Sequence, residues 1–509
     1  MIEIVDCGSQ LTQNIARRVR EAGVFTEIIP FNTSVEKIKR ADLEGIIISG
    51  GQFSVYDENS PIYSREVLDL DVPVLGICYG QQSIAHLLGG KVSPTQNREY
   101  GETKIKLKKE SKLFDGISPS QEFIVWMSHG DVVEKLPENF EATAISQNGH
   151  VAAMQMQEKR IYSVQFHPEV DHTQHGRAIL ENFLKICDAQ RTWKPEKEYD
   201  RIVEELKEKL NGKIGVGGIS GGVDSSTVSV LVNQVSGESY HPIFVDNGLL
   251  RLDEAKNVKE SLDKFLLNII YVDASDRFLK KLSGITDPDE KRKIIGHEFV
   301  AVFEEEARKI SGATYLVQGT LYPDVIESVP VYGSSSKIKR HHNVGGLPEK
   351  MGLEVIEPFR NLFKDEVRKI AEYKLGMPKS IVWRHPFPGP GLAIRIIGDI
   401  TPEKLDIARK ADDIFISELI NEGLYYKISQ AFAGLLGGKA VGVMGDAQSY
   451  DYIVGLRAVV TNDFMTADWY GFDKSFLTKV TNRIINEVKG VGRVFYDTCQ
   501  KPPSTIEWE

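Results

Sequence analysis

The chain has 509 residues, of which 41% are hydrophobic and 26% charged, and its formal net charge is −10. This composition is typical of a globular protein and excludes a disordered or membrane-embedded chain. The acidic balance excludes a nucleic-acid surface as the main partner, because duplex binding depends on clustered Lys and Arg. One hydrophobic core cannot serve a chain this long, so about two to four domains are expected.

The cysteines and the N-terminus indicate the compartment. The chain has 4 cysteines, which are too few for a disulfide framework, and none of them has the CxxC spacing of a zinc site. No apolar run approaches the roughly 18 residues that span a bilayer, and the N-terminus has no basic leader. We therefore expect a cytoplasmic protein with no membrane partner.

Residues 1–190 alternate short apolar runs with amphipathic segments. Strands are predicted at 2–5, 45–48 and 72–77, and helices at 12–21 and 81–88. Such alternation is typical of a parallel sheet covered by helices. A short linker at 193–195 and a charged surface helix at 196–209 follow, which places a domain boundary near residue 190.

A Gly-x-Cys-x-Gly motif at 76–80 follows an apolar run and has the layout of a nucleophile elbow. The helix after it favours the Cys78 thiolate through its positive N-terminal end. Pro168 keeps His167 extended. Since residues two apart on an extended chain face the same side, Glu169 can orient His167. Taken alone, Cys78 is more often a small buried apolar residue and His167 a structural histidine. Together with Glu169 they have the pattern of a catalytic triad.

An acyl-transfer site also needs donors for the developing oxyanion. Ser49-Gly50-Gly51 follows the predicted strand at 45–48, so the N–H of Gly51 and the N–H of Tyr79 are candidates. The same glycines could equally form only a tight turn.

These motifs resemble the class I glutamine amidotransferases, a family with a Cys-His-Glu triad. The resemblance covers residues 1–190 and includes the runs 98–101, 126–131 and 164–169. It implies that Gln82 and the backbone of Ser128 and His129 hold the substrate glutamine. Two positions depart from the family pattern: Gln52 stands where proline is usual, and Cys7 where phenylalanine is usual.

A second α/β pattern occupies residues 191–384. Strands are predicted at 213–218, 242–246, 268–272 and 315–318, with a helix at 225–235. The loop Ser-Gly-Gly-Val-Asp-Ser at 220–225 lies between strand and helix, where backbone N–H groups and hydroxyls can surround phosphate. It lacks the lysine of a Walker loop, and Ser220 stands where a dinucleotide fingerprint needs glycine. A glycine-serine turn without function is the alternative.

The loop resembles the pyrophosphate loop of the N-type ATP pyrophosphatases, which cleave ATP between its α- and β-phosphates. The resemblance implies a doubly wound domain with Mg²⁺ as cofactor, bound with ATP by Asp224. The ATP-binding residues it implies are Ser220, Gly221, Gly222, Val223, Asp224 and Ser225.

A Pro- and Gly-rich segment at 384–391 cannot be helical and ends the second domain. The remaining residues, 385–509, are predicted to form a third and smaller α+β domain.

With both halves in this order, the whole chain resembles the glutamine-hydrolysing GMP synthetases. Matching runs are 244–251, 289–296, 318–324, 341–346, 438–446 and 501–509. The resemblance implies that ATP adenylates the C2 oxygen of xanthosine monophosphate (XMP) and that ammonia from glutamine displaces AMP to give GMP. It also implies a homodimer formed through residues 385–509, where Gln448 replaces a usual arginine.

The same resemblance assigns the remaining site residues. XMP would be bound by Arg292, Gln430, Arg493, Lys501, Ile506 and Glu507. A lid over the adenylation site would contain Asp324, Glu327, Lys339, His341, His342 and Asn343. The basic run at 337–342 could otherwise be a solvated face, but cationic groups beside an anion favour the lid.

Two other readings stay open. One is a related amidotransferase that acts on a different nucleotide, against which the 501–509 tail argues. The other is a non-catalytic nucleotide-binding regulator. Such a regulator is expected to lack one of the chemical groups, yet Cys78, His167, Glu169 and Asp224 are all present.

Overall fold

The protein is described here from a computed structural model, which covers residues 1–119, 121–265, 268–328, 352–444, 447–461, 464 and 466–509. These residues divide into two compact units, the first formed mainly by residues 1–197 and the second by residues 198–322 and those after 351. Separate domains at 191–384 and 385–509 stay a prediction. No helix in the described ranges combines the length and apolar character needed to cross a membrane.

The first unit is built on a sheet of nine strands. In spatial order these are Thr26–Pro30, Ile2–Asp6, Gly45–Ile48, Val74–Ile77, Ile161–Val164, Val151–Met156, Glu141–Ser146, Lys91–Leu107 and Glu122–Lys135. The first five are parallel, which confirms the predicted parallel sheet. The other four extend it in antiparallel fashion and were not predicted.

Helices cover this sheet. They are Thr12–Glu21, Val35–Ile38, Tyr79–Leu87 and Gly176–Ile186, with short 3₁₀ turns at Arg65–Asp69 and Lys112–Phe114. The helix at Thr12–Glu21 has the predicted bounds and buries Ile15, Ala16 and Val19 on one face, as amphipathic spacing requires. The strand at Val74–Ile77 begins two residues later than predicted, after Pro73, which has no N–H to donate to a ladder.

The second unit contains a parallel sheet of five strands, in agreement with a doubly wound fold. Its spatial order is Ile270–Asp273, Tyr240–Asp246, Ile214–Ile219, Ala313–Val317 and Glu354–Ile356. The order in which strands are added changes direction at Ile214–Ile219. The next two strands along the chain lie on one side of it, and the last two lie on the other side. In open α/β sheets, ligands bind beyond the carboxyl ends of strands at such a point. The loop at 220–222 lies there.

The helices from residue 195 onward are Pro195–Leu210, Val223–Ser236, Glu254–Asp263, Ser275–Leu282, Pro288–Ala307, Tyr322–Ser328, Lys364–Lys369, Lys379–Val382, Pro402–Asn421 and Lys474–Glu487. Shorter turns are Gly237–Ser239, Ile370–Lys374, Gly391–Arg395 and Tyr425–Lys427. Pro288–Ala307 begins as its sequence dictates: Pro288 occupies the first turn, and the Asp287 side chain accepts from the Glu290 N–H at 2.8 Å.

A smaller sheet lies near the C-terminus. Strands Gln430–Met444 and Ala447–Val460 are antiparallel, Asp468–Trp469 adds to the second of them, and Val491–Asp497 runs parallel to it. The helix at Pro402–Asn421 contributes Leu405, Ala408 and Phe415 to the buried core beneath this sheet. Sheet and helices together match the predicted α+β character of residues 385–509.

Candidate active sites

The first candidate site is a sharp turn at Cys78, between strand Val74–Ile77 and helix Tyr79–Leu87. Cys78 has φ 54° and ψ −106°, a conformation that L residues rarely adopt, and only 4% of it is exposed. A Cβ atom at Gly80 would lie 2.4 Å from the Ile48 carbonyl oxygen, and one at Gly76 would lie 2.7 Å from the Gly80 carbonyl. The flanking glycines are therefore required, as a nucleophile elbow predicts.

Sheet topology brings the second part of the site to the cysteine. Strand Val74–Ile77 pairs in parallel with Ile161–Val164, with Ile77 opposite Val164. The residues that follow the two strands therefore meet at one sheet edge, where the Cys78 N–H donates to the Val164 carbonyl at 2.8 Å. This edge carries His167 and Glu169 to Cys78.

The predicted triad residues lie together and are buried. His167 Nδ1 is 2.7 Å from Glu169 Oε1. A Cβ atom at Gly50 would lie 3.2 Å from His167 Cε1 and 3.5 Å from Cys78 Cβ, so the imidazole lies beside the cysteine. The Thr173 hydroxyl donates to the His167 carbonyl at 2.6 Å, which fixes the backbone that carries the imidazole. The structure thus orders the three side chains as Glu, His and Cys, the arrangement a triad needs.

The charge state of His167 is set by its neighbours. Burial lowers its pKa, but the charges of Glu169 and Cys78, with hydrogen bonds to both, raise it, and the net pKa is well above the usual value. The imidazolium is therefore favoured at neutral pH, and it places a positive charge and a proton donor beside the nucleophile.

The glycine loop after strand Gly45–Ile48 lies against the same centre. A Cβ at Gly50 would be 3.2 Å from His167 Cε1, and a Cβ at Gly51 would be 2.5 Å from the Cys7 carbonyl oxygen. Tyr79 is the first residue of its helix, so its N–H has no acceptor within the helix. Glycine is therefore required at position 51, and a Cβ at Gly50 would lie 3.5 Å from Cys78 Cβ, so the loop runs alongside the nucleophile. Gln52 beside it is exposed.

Gln165 also lies at this site, although no role was predicted for it. Its Nε2 is 3.7 Å from Cys78 Sγ, and its Oε1 accepts from Gln82 Nε2 at 3.3 Å. Gln82 also donates to the Asp131 carbonyl at 3.0 Å. No local signal identifies Gln165, because 87 positions separate it from Cys78 and only the fold brings the two side chains together.

Ser128, which the resemblance assigns with His129 to glutamine binding, lies next to the nucleophile. Cys78 Sγ is 3.7 Å from the Ser128 carbonyl oxygen. The His129 side chain is held by Glu99 at 2.9 Å and by the Asp131 carbonyl at 3.0 Å. Burial raises the pKa of Glu99, but hydrogen bonds from His129, Ser146 and Asn148 lower it below its usual value. The side chain of His129 is thus structural, which leaves its backbone for a ligand.

The second candidate site is the loop between strand Ile214–Ile219 and helix Val223–Ser236. Gly221 has φ +75°, and Gly222 is the N-cap of the helix. The Ser225 hydroxyl lies 3.1 Å from the Ser220 N–H and 3.0 Å from the Ser220 hydroxyl. The loop thus combines a left-handed glycine, two hydroxyl groups and the first N–H groups of a helix, an arrangement that is able to hold phosphate.

Asp224 provides the negative group of this loop. Its Oδ2 accepts from Lys364 Nζ at 3.1 Å, while its Oδ1 is buried and has no hydrogen-bond partner among the described residues. Mg²⁺ is typically held by one or two carboxylates together with substrate phosphates and water. The unpaired Oδ1 fits that role. The described residues include no cluster of three or more His, Cys, Asp or Glu that would form an all-protein metal site.

The predicted XMP residues converge on the C-terminal tail only in part. Gln430 Nε2 donates to Glu507 Oε1 at 2.6 Å, and Arg292 donates to the Glu509 carbonyl. The fully buried Arg395 donates hydrogen bonds to both carboxylate oxygens of Glu507, at 2.8 and 2.9 Å. No role was predicted for Arg395, and nothing in its local sequence signals one.

Other predicted XMP residues have separate contacts. Arg457 Nε donates to the Ile506 carbonyl at 3.4 Å, and Lys501 Nζ donates to the Phe464 carbonyl at 2.7 Å. Arg493 contacts the Val441 carbonyl at 3.4 Å, within the C-terminal sheet rather than at the tail.

Of the predicted lid, Asp324 and Glu327 lie on the helix Tyr322–Ser328. Lys339, His341, His342 and Asn343 lie outside the described residues.

Comparison with known proteins gives matches over the whole chain. Residues 3–187 match the glutamine amidotransferase class-I family, and residues 417–508 match the GMP synthase C terminal domain family. A glutamine-hydrolyzing GMP synthase of Brachyspira hyodysenteriae is 52% identical over 99% of this chain and 98% of its own. Relatives of the same name from Aquifex aeolicus and Clostridium tetani are each 52% identical, over 100% of this chain and 99% of theirs.

Proposed function

The chain belongs to the glutamine-hydrolyzing GMP synthase family, and from that membership we propose how its residues divide the synthesis of GMP from glutamine, ATP and XMP. The enzyme is a carbon–nitrogen ligase with glutamine as amide donor. Within it, we assign ammonia release to the Cys78 site and activation of XMP to the loop at 220–225.

In the first half-reaction the Cys78 thiolate attacks the side-chain amide carbonyl of glutamine, and His167 gives its proton to the departing ammonia. Water then attacks the thioester, with His167 accepting its proton, and glutamate leaves. Glu169 holds the imidazole through Nδ1 at 2.7 Å. The N–H groups of Gly51 and Tyr79 are the proposed oxyanion donors, while Gln82 and the Ser128 and His129 backbone hold the glutamine.

In the second half-reaction the C2 oxygen of XMP attacks the α-phosphorus of ATP, and pyrophosphate leaves. An amide-like carbonyl carbon becomes a good electrophile once its oxygen is a phosphate ester. Ammonia then forms the C2–N bond, and AMP departs with the oxygen. We assign Ser220, Gly221, Gly222, Val223 and Ser225 to the ATP phosphates.

Mg²⁺ bound with ATP would supply positive charge that stabilises the departing pyrophosphate. The Asp224 carboxylate is the proposed protein ligand, because its Oδ1 is buried and has no other partner among the described residues. Lys364, 3.1 Å from the other carboxylate oxygen, adds a second cation beside the phosphates.

We propose that XMP is bound near the C-terminal tail by Arg292, Gln430, Arg493, Lys501, Ile506 and Glu507. The grouping of Arg292, Gln430 and Glu507 around residues 507–509 supports this. Because both Glu507 oxygens already accept from Arg395, that carboxylate is held in a fixed position, where it can also accept from purine N–H groups. Asp324, Glu327, Lys339, His341, His342 and Asn343 remain the proposed lid.

We further propose that the enzyme is a homodimer formed through its C-terminal sheet. The strands at Gln430–Met444 and Ala447–Val460 carry large apolar side chains that are exposed in the single chain: Val443 is 76% exposed, Tyr450 61% and Val441 49%. A second copy of the same surface would cover them, as a two-fold interface requires.

The observation that carries the proposal is the buried Cys78–His167–Glu169 arrangement in one chain with a phosphate cradle beside an unpaired Asp224 oxygen. The test uses XMP labelled with ¹⁸O at its C2 oxygen, incubated with the purified chain, ATP, Mg²⁺ and glutamine. One label per GMP formed is expected in the phosphate of AMP, since the C2–O bond breaks and the P–O bond persists. Formation of ADP, with label in inorganic phosphate, would contradict adenylation.

Replacing Glu169 with glutamine is expected to lower glutamine hydrolysis by about 10²-fold or more. It should also move the alkaline limb of the pH profile to lower pH. The sign follows from the raised pKa of His167, to which the Glu169 charge contributes. Without that charge, the imidazolium loses its proton at a lower pH.

The readout for Glu169→Gln is the rate of glutamate release across pH, with Glu181→Gln as control. Glu181 is in the same unit and forms a partly exposed pair with Arg191. An alkaline limb that stays at the wild-type pH would contradict the role of Glu169.

A further inference from the structure

Arg384 reaches the back of the pyrophosphate loop from a distant part of the chain. Its Nη1 donates to the Gly221 carbonyl at 3.2 Å, and its Nη2 donates to the Glu254 carboxylate. The Arg384 side chain is 19% exposed and that of Glu254 is 3% exposed. In sequence, Arg384 is only the first residue of a Pro- and Gly-rich segment, and no role is assigned to it above.

The carbonyl that Arg384 holds controls a phosphate donor. The peptide between Gly221 and Gly222 is trans, so its C=O and N–H point in opposite directions. When Arg384 fixes the Gly221 carbonyl on one side of the loop, the Gly222 N–H must face the other side. That N–H lies 3.4 Å from the Ser220 hydroxyl, among the groups of the cradle.

Nothing in the sequence of the loop itself restricts rotation of the Gly221–Gly222 peptide plane. Gly221 has φ +75°, and a Cβ there would lie 2.7 Å from Val258 Cγ2, so glycine is required at this position. Glycine has the greatest backbone freedom of any residue, and two successive glycines allow the peptide plane to rotate at little steric cost. A hydrogen bond from a charged donor limits that rotation.

The anchor itself is fixed. Glu254 begins the helix Glu254–Asp263, and its second oxygen accepts from the Arg251 N–H at 2.9 Å. The Arg251 side chain in turn pairs with the buried Asp412 at 3.0 Å. The guanidinium of Arg384 therefore spans two acceptors set at a fixed distance, a task suited to the planar fork of arginine and not to the single ammonium of lysine.

We propose that Arg384, fixed by Glu254, is a positioning residue for the pyrophosphate loop: it holds the Gly221 carbonyl so that the Gly222 N–H faces the β- and γ-phosphates of ATP. This deepens the proposed function and rests on it. Arg384 acts through the backbone of Gly221 and Gly222 and makes no contact with substrate in this assignment.

The test compares Arg384→Gln and Arg384→Lys with wild type in the full chain, with ammonium as nitrogen donor. We expect Arg384→Gln to raise the KM for MgATP and the inhibition constant for pyrophosphate together, each by about 10- to 100-fold. The KM for XMP should stay within about twofold. Arg384→Lys should lie between, because one ammonium cannot hold both acceptors in the same geometry.

A purely structural ion pair would give a different result. It would lower the melting temperature and the amount of active protein, and so affect kcat without changing the constants for MgATP and pyrophosphate. Glu254→Gln should produce a smaller change of the same kind, and adding it to Arg384→Gln should have little further effect, since the two residues form one unit. Arg308→Gln, at an exposed pair with Glu304, is the matched control.

A folded Arg384→Gln enzyme with wild-type constants for MgATP and pyrophosphate would overturn the inference. If that variant does not fold, Arg384→Lys and Glu254→Gln decide by the same criteria. Failure of the proposed function is separate, because wild-type enzyme would then form no AMP from ATP and XMP.

Discussion

Replacing Cys78 with alanine is expected to abolish GMP synthesis from glutamine, by about 10⁴-fold or more, while synthesis from added ammonium stays near the wild-type rate. The sulfur is the only group in the first site that can form the thioester, and without it His167 has no nucleophile to activate. The cradle around Asp224 belongs to the other unit and keeps all of its groups. The measurement is GMP formation with each nitrogen donor in turn, at saturating ATP and XMP.

Cys187→Ala is the matched control for this experiment. Cys187 is also buried in the first unit but caps the helix Gly176–Ile186 and lies against Gly45, at the opposite end of strand Gly45–Ile48 from the Gly50-Gly51 loop. It should keep both activities. Equal loss of the glutamine and ammonium reactions in Cys78→Ala would contradict the division of labour between the two sites.

Replacing Asp224 with asparagine is expected to remove synthesis from both nitrogen donors, by about 10³-fold or more. Asparagine keeps the size and shape of the side chain but removes the charge that the proposed metal ligand needs. It also leaves Lys364 Nζ, 3.1 Å away in the wild type, without its carboxylate partner. The measurement is AMP and pyrophosphate formation from ATP and XMP, with glutamine hydrolysis followed separately.

Asp276→Asn provides the comparison, because Asp276 also lies in the first turn of a helix of the second unit but is exposed. It should retain full activity. If Asp224→Asn still formed AMP at the wild-type rate at every Mg²⁺ concentration, Asp224 would not be the metal ligand.

Much of the fold follows from local patterns. Residues 12–21 form the predicted helix, because their apolar residues recur at helical spacing and share one buried face. Residues 45–48 form the predicted strand, a short apolar run that is buried on both faces. The strands Lys91–Leu107 and Glu122–Lys135 were missed. Both are long and antiparallel. Lys91–Leu107 is largely polar, and although Glu122–Lys135 contains the apolar run Phe123–Met127, the pairing of the two strands depends on their register.

The candidate chemistry was equally local. The elbow needs a glycine two positions before Cys78 and another two positions after it. His167 and Glu169 are two positions apart, and the loop at 220–225 is continuous. Each motif can therefore be recognised without knowledge of the fold. Gln165 and Arg395 could not be assigned in this way. Gln165 lies 87 positions from Cys78, and Arg395 lies 112 positions from Glu507. Only burial and contact give these residues a role.

The chemical groups of both sites can therefore be read from the chain alone, because nucleophile, base and phosphate loop are each specified within a few residues by backbone geometry and side-chain chemistry. The tertiary structure decided which groups act together. Parallel pairing of Val74–Ile77 with Ile161–Val164 brings Cys78 to His167. A contact across 163 positions brings Arg384 to Gly221. Such contacts between distant residues depend on the order of strands and the closing of long loops, which no local spacing encodes.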